Sequence, residues 1–136
     1  MGKYANLDTS ILAIFGLSSW TAVGIKTFPA NLVAMNAGTE FIRISIIPAG
    51  AGINLKSVSG VVIADIFVES NNGSKRVSFI ADKLDTFLSG KTLSPVARTA
   101  IQLGSSSLSL NGIDPDNSAL YRATYTIPFN YFEVMQ

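Results

Sequence analysis

The chain has 136 residues, the size of one domain, and only 14% of them are charged, against roughly 25% in ordinary soluble domains. It contains neither cysteine nor histidine, which excludes thiol and imidazole catalysis, disulfides and the usual zinc sites. Ten basic and nine acidic residues are spread along the chain without a basic run, so nucleic acid is not the expected ligand.

The first predicted element is a helix near the start of the chain. Asp8 or Thr9 can cap it, and apolar residues follow at helical spacing to about Leu17. A short strand is expected ahead of Pro29, and Trp20, the only tryptophan, is expected in the core.

The middle of the chain predicts a long-looped hairpin and a second helix. Apolar residues first alternate along a strand that ends at Pro48, and Val61–Glu69 is apolar on both faces, as in a central strand. From Lys75 to about Ser89 an apolar stripe indicates an amphipathic helix, with Gly90 as its C-terminal cap.

The remaining sequence predicts a second hairpin, from alternation over residues 97–103 and 108–110, a turn over residues 112–117 and a last strand over about 119–128. The whole is expected to be one α+β domain, residues 1–136. Its single mixed, mostly antiparallel sheet would have about five strands, with two helices packed on it. No apolar run approaches the ~18 residues that a transmembrane helix needs, and no signal peptide pattern is present.

Catalytic and metal-binding patterns are lacking. Asp82 and Asp85 lie three residues apart beside Lys83, and we expect them on a solvated helix face rather than in a catalytic carboxylate pair. The acidic stretch Asp114–Asn117 is expected to form a turn. No nucleophile-elbow or phosphate-binding motif occurs. We therefore expect no enzyme activity, no catalytic residues, no metal and no cofactor.

Arg43 and Asp65 are charged residues within two neighbouring apolar strands, and a hairpin register brings them close together. The functional hypothesis is an ion pair across the sheet or across a subunit boundary. The alternative is that each side chain points to solvent. If they are paired and buried, removing one partner costs roughly 3–5 kcal/mol.

The segment 49–59 between those strands is long and rich in small residues, and long loops in compact domains are usually functional or disordered. We expect its tip to contact a neighbouring subunit or another partner. The candidate contact residues are Ile53, Asn54, Leu55 and Lys56.

The aromatic end of the chain is a second candidate contact. Aromatic residues are enriched at protein interfaces, so Phe129, Tyr131 and Phe132 are candidate anchors. The alternative is that alternate members of this group pack against the helices.

The order of these elements resembles the tail terminator proteins of long-tailed bacteriophages. In that family a helix and a Pro-Asn turn precede a strand that ends near proline and glycine. A long loop, an apolar strand, a helix and an aromatic-rich final strand follow. The departures here are Pro-Ala-Asn in place of Pro-Asn and a weakly charged first helix. The matching segments are Phe28–Asn31, Phe41–Gly50, Gly60–Val68, Val77–Leu88 and Tyr125–Glu133.

The resemblance implies a hexameric ring that ends tail-tube polymerisation and docks the tail to the head–tail connector. Its partners would be copies of itself, the major tail tube protein and the connector or stopper protein, with no membrane involved. DNA would pass through the lumen without specific recognition. The protein would be made in the host bacterial cytoplasm and reside in the tail or neck of the virion.

Two other interpretations stay open at this point. One is another neck, tail-completion or connector protein of a tailed phage. The other is a small non-enzymatic adaptor or binding module that works as a monomer or dimer.

Overall fold

A seven-stranded mixed sheet curls into a half-barrel and forms most of the molecule. The computed structural model describes residues 3–29, 40–51, 57–69, 73–93, 99–113 and 120–133. The helices are α1 (Lys3–Ile14), α2 (Ser18–Thr21) and α3 (Gly73–Leu88). The strands are β1 (Thr27–Pro29), β2 (Phe41–Ala51), β3 (Val58–Glu69), β4 (Thr92–Leu93), β5 (Thr99–Leu103), β6 (Ser107–Ile113) and β7 (Leu120–Glu133).

The long strand β7 pairs with three other strands of the sheet. One of its edges pairs with β3 along the full length, whereas the other pairs with β6 near the start of β7 and with β5 near its end. The resulting order is β1-β2-β3-β7-β5-β4, with β6 beside β7. Among the strands that the structure describes, only β1 and β2 pair in parallel, and the other pairs are antiparallel.

The turn between β5 and β6 lies against the middle of β7. The backbone N–H of Gly104 donates to the carbonyl oxygen of Pro128 at 2.9 Å. A Cβ atom on Gly104 would stand only 3.1 Å from Cγ of Pro128. Glycine at this position therefore allows the close approach that lets β7 exchange one partner strand for the other.

Helices cover one face of the sheet, and the main core lies beneath them. α3 packs on β3 and β7, and α1 contacts β7. The apolar stripe of α3 is fully buried, and each such aliphatic side chain contributes about 1.5–3 kcal/mol relative to exposure. The stripe consists of Val77, Ile80, Leu84 and Leu88.

Trp20 of the short helix α2 is buried in this core, which confirms the predicted burial of its side chain. Its ring lies edge-on to Phe15 and to Phe87, with 5.2 Å between centroids in each case. Its indole Nε1–H donates to the Thr27 hydroxyl at 2.9 Å, so the one polar atom of the ring is satisfied.

The prediction of an α+β fold with about five strands is wrong, because sheet dominates and the described residues contain seven strands. Residues 92–113 supply three of them, β4, β5 and β6, where one hairpin arm was expected. The first helix also begins earlier than expected. Asp8 and Thr9 are exposed residues inside α1, which starts at Lys3, and so they do not cap it.

Candidate interaction surfaces

The sheet face opposite the helices, called the outer face here, is lined by alternate side chains of β2, β3 and β7. The intervening side chains of the same strands point to the helix-bearing face and belong to the main core. Most outer-face side chains are half-buried, whereas Ile47 is 43% exposed. The outer face consists of Arg43, Ser45, Ile47, Val61, Ile63, Asp65, Arg122, Thr124 and Thr126.

A charged stripe, formed by Arg43, Asp65, Arg122 and Thr124, crosses the outer face. The register places Arg43 directly opposite Asp65, and Asp65 directly opposite Thr124. The ion pair that the structure shows for Asp65 is with Arg122, whose Nη2 lies 3.4 Å from Oδ1. The Thr124 hydroxyl also donates to Oδ1 at 3.4 Å. Strand pairing therefore places Arg43 and Asp65 opposite each other, as predicted. The observed salt bridge of Asp65, however, is formed with β7 rather than with β2.

Two guanidinium groups thus flank one carboxylate. The Nε atoms of Arg43 and Arg122 are buried and have no hydrogen-bond partner within the described part of the chain. The Asp65 side chain is 18% exposed and that of Arg122 is 38% exposed. The stripe carries one more positive than negative charge, so it is suited to an acidic group of a partner.

A second, small cluster borders the charged stripe and is called the aromatic cluster here. It consists of three phenylalanine rings and one leucine: Phe28, Phe41, Phe67 and Leu120. The rings of Phe41 and Phe67 stack with 4.6 Å between centroids and 17° between planes. The guanidinium carbon of Arg122 lies 5.6 Å from the Phe67 ring centroid. This contact limits the freedom of Arg122 and holds its charge at the outer face.

The strand β6 forms an exposed edge of the sheet. Among the described residues it pairs only with β7, and every residue from Ser107 to Asn111 is exposed. Leu108 and Leu110 are 39% and 51% exposed. They stand opposite the buried residues Tyr125 and Ala123, so they point to the helix-bearing side without being covered by it.

A polar cluster ties α3 to the sheet. Oδ1 of Asp85 accepts hydrogen bonds from the Tyr125 hydroxyl at 2.6 Å and from the Ser106 hydroxyl at 2.5 Å. Burial, followed by the hydrogen bond to Asp85, raises the pKa of Tyr125 above its ordinary value. Tyr125 therefore keeps its proton as a donor, and Asp85 faces inward rather than lying on the expected solvated face.

The C-terminal aromatic residues are divided between the two faces of β7. Phe129 and Tyr131 lie in the main core, whereas Phe132 is half-buried on the opposite side. Only Phe132 among the three is open to a partner. The other candidate contacts, Ile53, Asn54, Leu55 and Lys56, lie outside the described residues.

Neither a metal site nor a spanning helix is found in the ranges that the structure describes. No three acidic side chains there are grouped closely enough to hold a metal ion. No helix there combines the length and the apolar character needed to cross a membrane.

Comparison with known proteins finds a shared fold without a function. No protein-family model and no curated protein matches the sequence. A solved structure that bears no functional name superposes with a TM-score of 0.69 at 16% identity, covering 95% of this chain and 98% of its own. At this identity the likeness establishes the fold alone.

Proposed function

We propose that this chain is a structural subunit of a tailed-phage virion, a tail terminator. Copies of it form a six-membered ring on the end of the tail tube, stop tube polymerisation and join the tail to the head–tail connector. DNA passes through the lumen of the ring without specific recognition. Its place in the virion is the tail and neck.

The observation that carries this proposal is the outer face of the sheet. It presents Ile47 and the half-buried Val61 and Ile63 beside a charged stripe, on the side opposite the helices. Three of its nine side chains are apolar, and they are suited to the centre of a protein interface, where charged residues are depleted. The charged and hydroxyl-bearing side chains beside them are suited to its polar rim. The outer face is therefore suited to lie against a neighbouring copy or the tube.

The elements that carry the sequence resemblance support the same proposal. Four of its five matching segments fall within β2, β3, α3 and β7, in the expected order along the chain. The remaining one, Phe28–Asn31, begins in β1 and continues outside the described residues. Together the four elements form the centre of the sheet and its main helix cover.

The charged stripe gives this interface an orientation. Its surplus positive charge attracts an acidic side chain of a partner and disfavours a basic one, which selects one docking geometry over others. We expect the stripe to affect the specificity of assembly more than its strength.

The proposal is tested by assembling tail tubes from the tube protein of the same genome, with and without this chain. Electron micrographs are expected to show tubes of limited length, each closed by a ring with six-fold averages, only when the chain is present. Tubes that keep growing uncapped in its presence would exclude the tail terminator function.

The same mixtures separate the alternatives. A neck or connector protein would bind isolated connector rings and leave the tubes uncapped. An adaptor module would bind neither tubes nor connectors.

A further inference from the structure

We propose that the free chain forms a two-fold dimer in which β6 pairs antiparallel with β6 of a second copy, with Ser109 opposite Ser109. The inference stands on the geometry of β6 and does not depend on the tail assignment. A two-fold contact closes after two copies, so it is separate from the head-to-tail contact that a six-membered ring requires.

β6 is the most accessible edge among the strands that the structure describes. Five consecutive exposed residues, 107–111, follow its free side. The other edges are shorter or blocked: β1 has three residues and ends in Pro29, and β4 has two. β2 is open beyond its pairing with β1 for only three residues before Pro48. A partner strand is therefore accommodated best at β6.

The composition of β6 does nothing to repel such a strand. Free edges are usually protected by lysine, other charged residues or proline. The segment Ser107–Ile113 contains none of these. The register with β7 shifts between Leu110 and Gly112, so Asn111 is the irregular residue. The regular edge therefore runs from Ser107 to Leu110, which includes both leucines.

The pattern of β6 is complementary to itself. In an antiparallel pair centred on Ser109, Leu108 of each copy stands opposite Leu110 of the other, and Ser107 stands opposite Asn111. Directly opposed side chains point to the same face of a sheet. All four exposed leucines would then meet on the helix-bearing side, in two leucine pairs. Centring the pair on Leu108 or Leu110 would form only one such pair.

Because of this complementarity, the expected partner of β6 is a second copy of the chain. A foreign strand would need apolar residues at the same alternate positions, whereas a copy supplies them by symmetry. The contact is small compared with the ~1,600 Å² of a standard interface, so a concentration-dependent dimer is expected.

Cysteine cross-linking tests the register, because the natural chain contains no cysteine. The variant S109C is expected to form a disulfide-linked dimer under mild oxidation, since the two thiols face each other. The variant S107C is the control, because its thiol would face Asn111 of the second copy and lie about four residues, ~13 Å, from its own counterpart. Equal cross-linking of both variants, or none with S109C, would overturn the register.

Sedimentation tests the dimer itself. The wild-type chain is expected to shift from one copy to two as concentration rises, and L110D is expected to weaken dimerisation at least tenfold. L17D is a matched control, because Leu17 is 51% exposed, as Leu110 is, and lies outside the sheet. Circular dichroism confirms that both variants fold. A wild-type chain that stays monomeric, or equal weakening by L17D and L110D, would contradict the proposal, whatever the chain does on tail tubes.

Discussion

Asp65 is the residue on which the charge balance of the outer face depends. It accepts from Arg122 and Thr124 and lies opposite Arg43 in the register. Without its charge, two guanidinium groups would remain on one stripe with no neutralising partner. The two members of the observed salt bridge are partly exposed, so its loss should cost less than the loss of a fully buried pair.

We predict that D65N lowers the free energy of unfolding by about 1–2 kcal/mol. Urea denaturation measures the change, and D82N, at an exposed carboxylate on α3, is the control. The cost of D65N should shrink in an R122Q background, because the observed partner is then gone. An unchanged cost in that background would show that Arg122 and Asp65 are not coupled.

Tyr125 gives the molecule a specific sensitivity to alkali. Its pKa is raised in the folded chain, above the value of about 10 that it has when unfolded. Below pH ~10 both states keep the proton and the stability is complete. Above that pH the unfolded state ionises first, so stability falls as the pH rises toward the pKa of the folded state.

The change from pH 9 to pH 11 should therefore destabilise the wild-type chain by about 1 kcal/mol more than Y125F, as judged by urea midpoints at the two pH values. The variant lacks the phenol that titrates, and it loses one hydrogen bond at every pH. Equal alkaline losses in the two proteins would exclude Tyr125 as the group responsible.

The sequence places Arg43 and Asp65 near each other because their positions in two adjacent strands follow from the alternating pattern. The salt bridge to Arg122 requires the pairing of β3 with β7, two strands that are separated by a helix and three strands along the chain. Long-range strand order is not encoded in local alternation, so this partner could not be predicted.

At the scale of elements, Arg76 ties α3 to the start of β2. Its guanidinium forms a two-pronged salt bridge with Glu40, in which Nε lies 3.0 Å from Oε2. The same group lies 4.6 Å from the ring centroid of the half-exposed Phe79. The arginine thus fixes one end of the helix over the sheet.

We expect R76M to lower the free energy of unfolding by about 0.5–1 kcal/mol at low salt, since both salt-bridge side chains are about one-third exposed. The difference should narrow at about 1 M salt, where exposed charges are screened. K75M, at the exposed neighbouring position, is the control. A salt-independent difference would assign the effect to packing rather than to charge.

Elements with a strong hydrophobic period are predictable, and those without one are not. The helix expected over about residues 75–89 is α3, Gly73–Leu88, because its apolar stripe is continuous. The strand expected over residues 61–69 is part of β3, Val58–Glu69. β4 has only two residues, too few to show a period. The alternating residues 108–110 lie within β6, but alternation alone did not show that β6 is a separate strand whose leucines are exposed.

The last strand shows how tertiary pairing extends an element. It was expected to end near Pro128, since proline cannot donate to a neighbouring strand. On one edge of β7, β6 pairs with residues up to Thr126 and β5 pairs from Phe129 onward. Pro128 lies in the gap between these two partners, so β7 continues past it to Glu133. The carbonyl of Pro128 bonds to Gly104 there, and its missing N–H is tolerated.

At the scale of the whole molecule, the two faces of the sheet have different roles. The helix-bearing face contains the main core and supplies stability. The outer face combines apolar side chains, a charged stripe and an aromatic cluster that do not contribute to that core. This division leaves the outer face as the surface that we propose for assembly, and β6 as the separate edge that we propose for dimerisation.

The most direct test of this account compares I47D with F79D in the tail-tube assembly. Ile47 lies on the outer face and Phe79 on α3, and both are 43% exposed, so the two substitutions are matched in accessibility. I47D is expected to fold but no longer to cap tubes, because a buried unpaired carboxylate is costly at an interface. F79D is expected to cap them as the wild type does. Capping that survives I47D would contradict the claim that the outer face is the assembly surface.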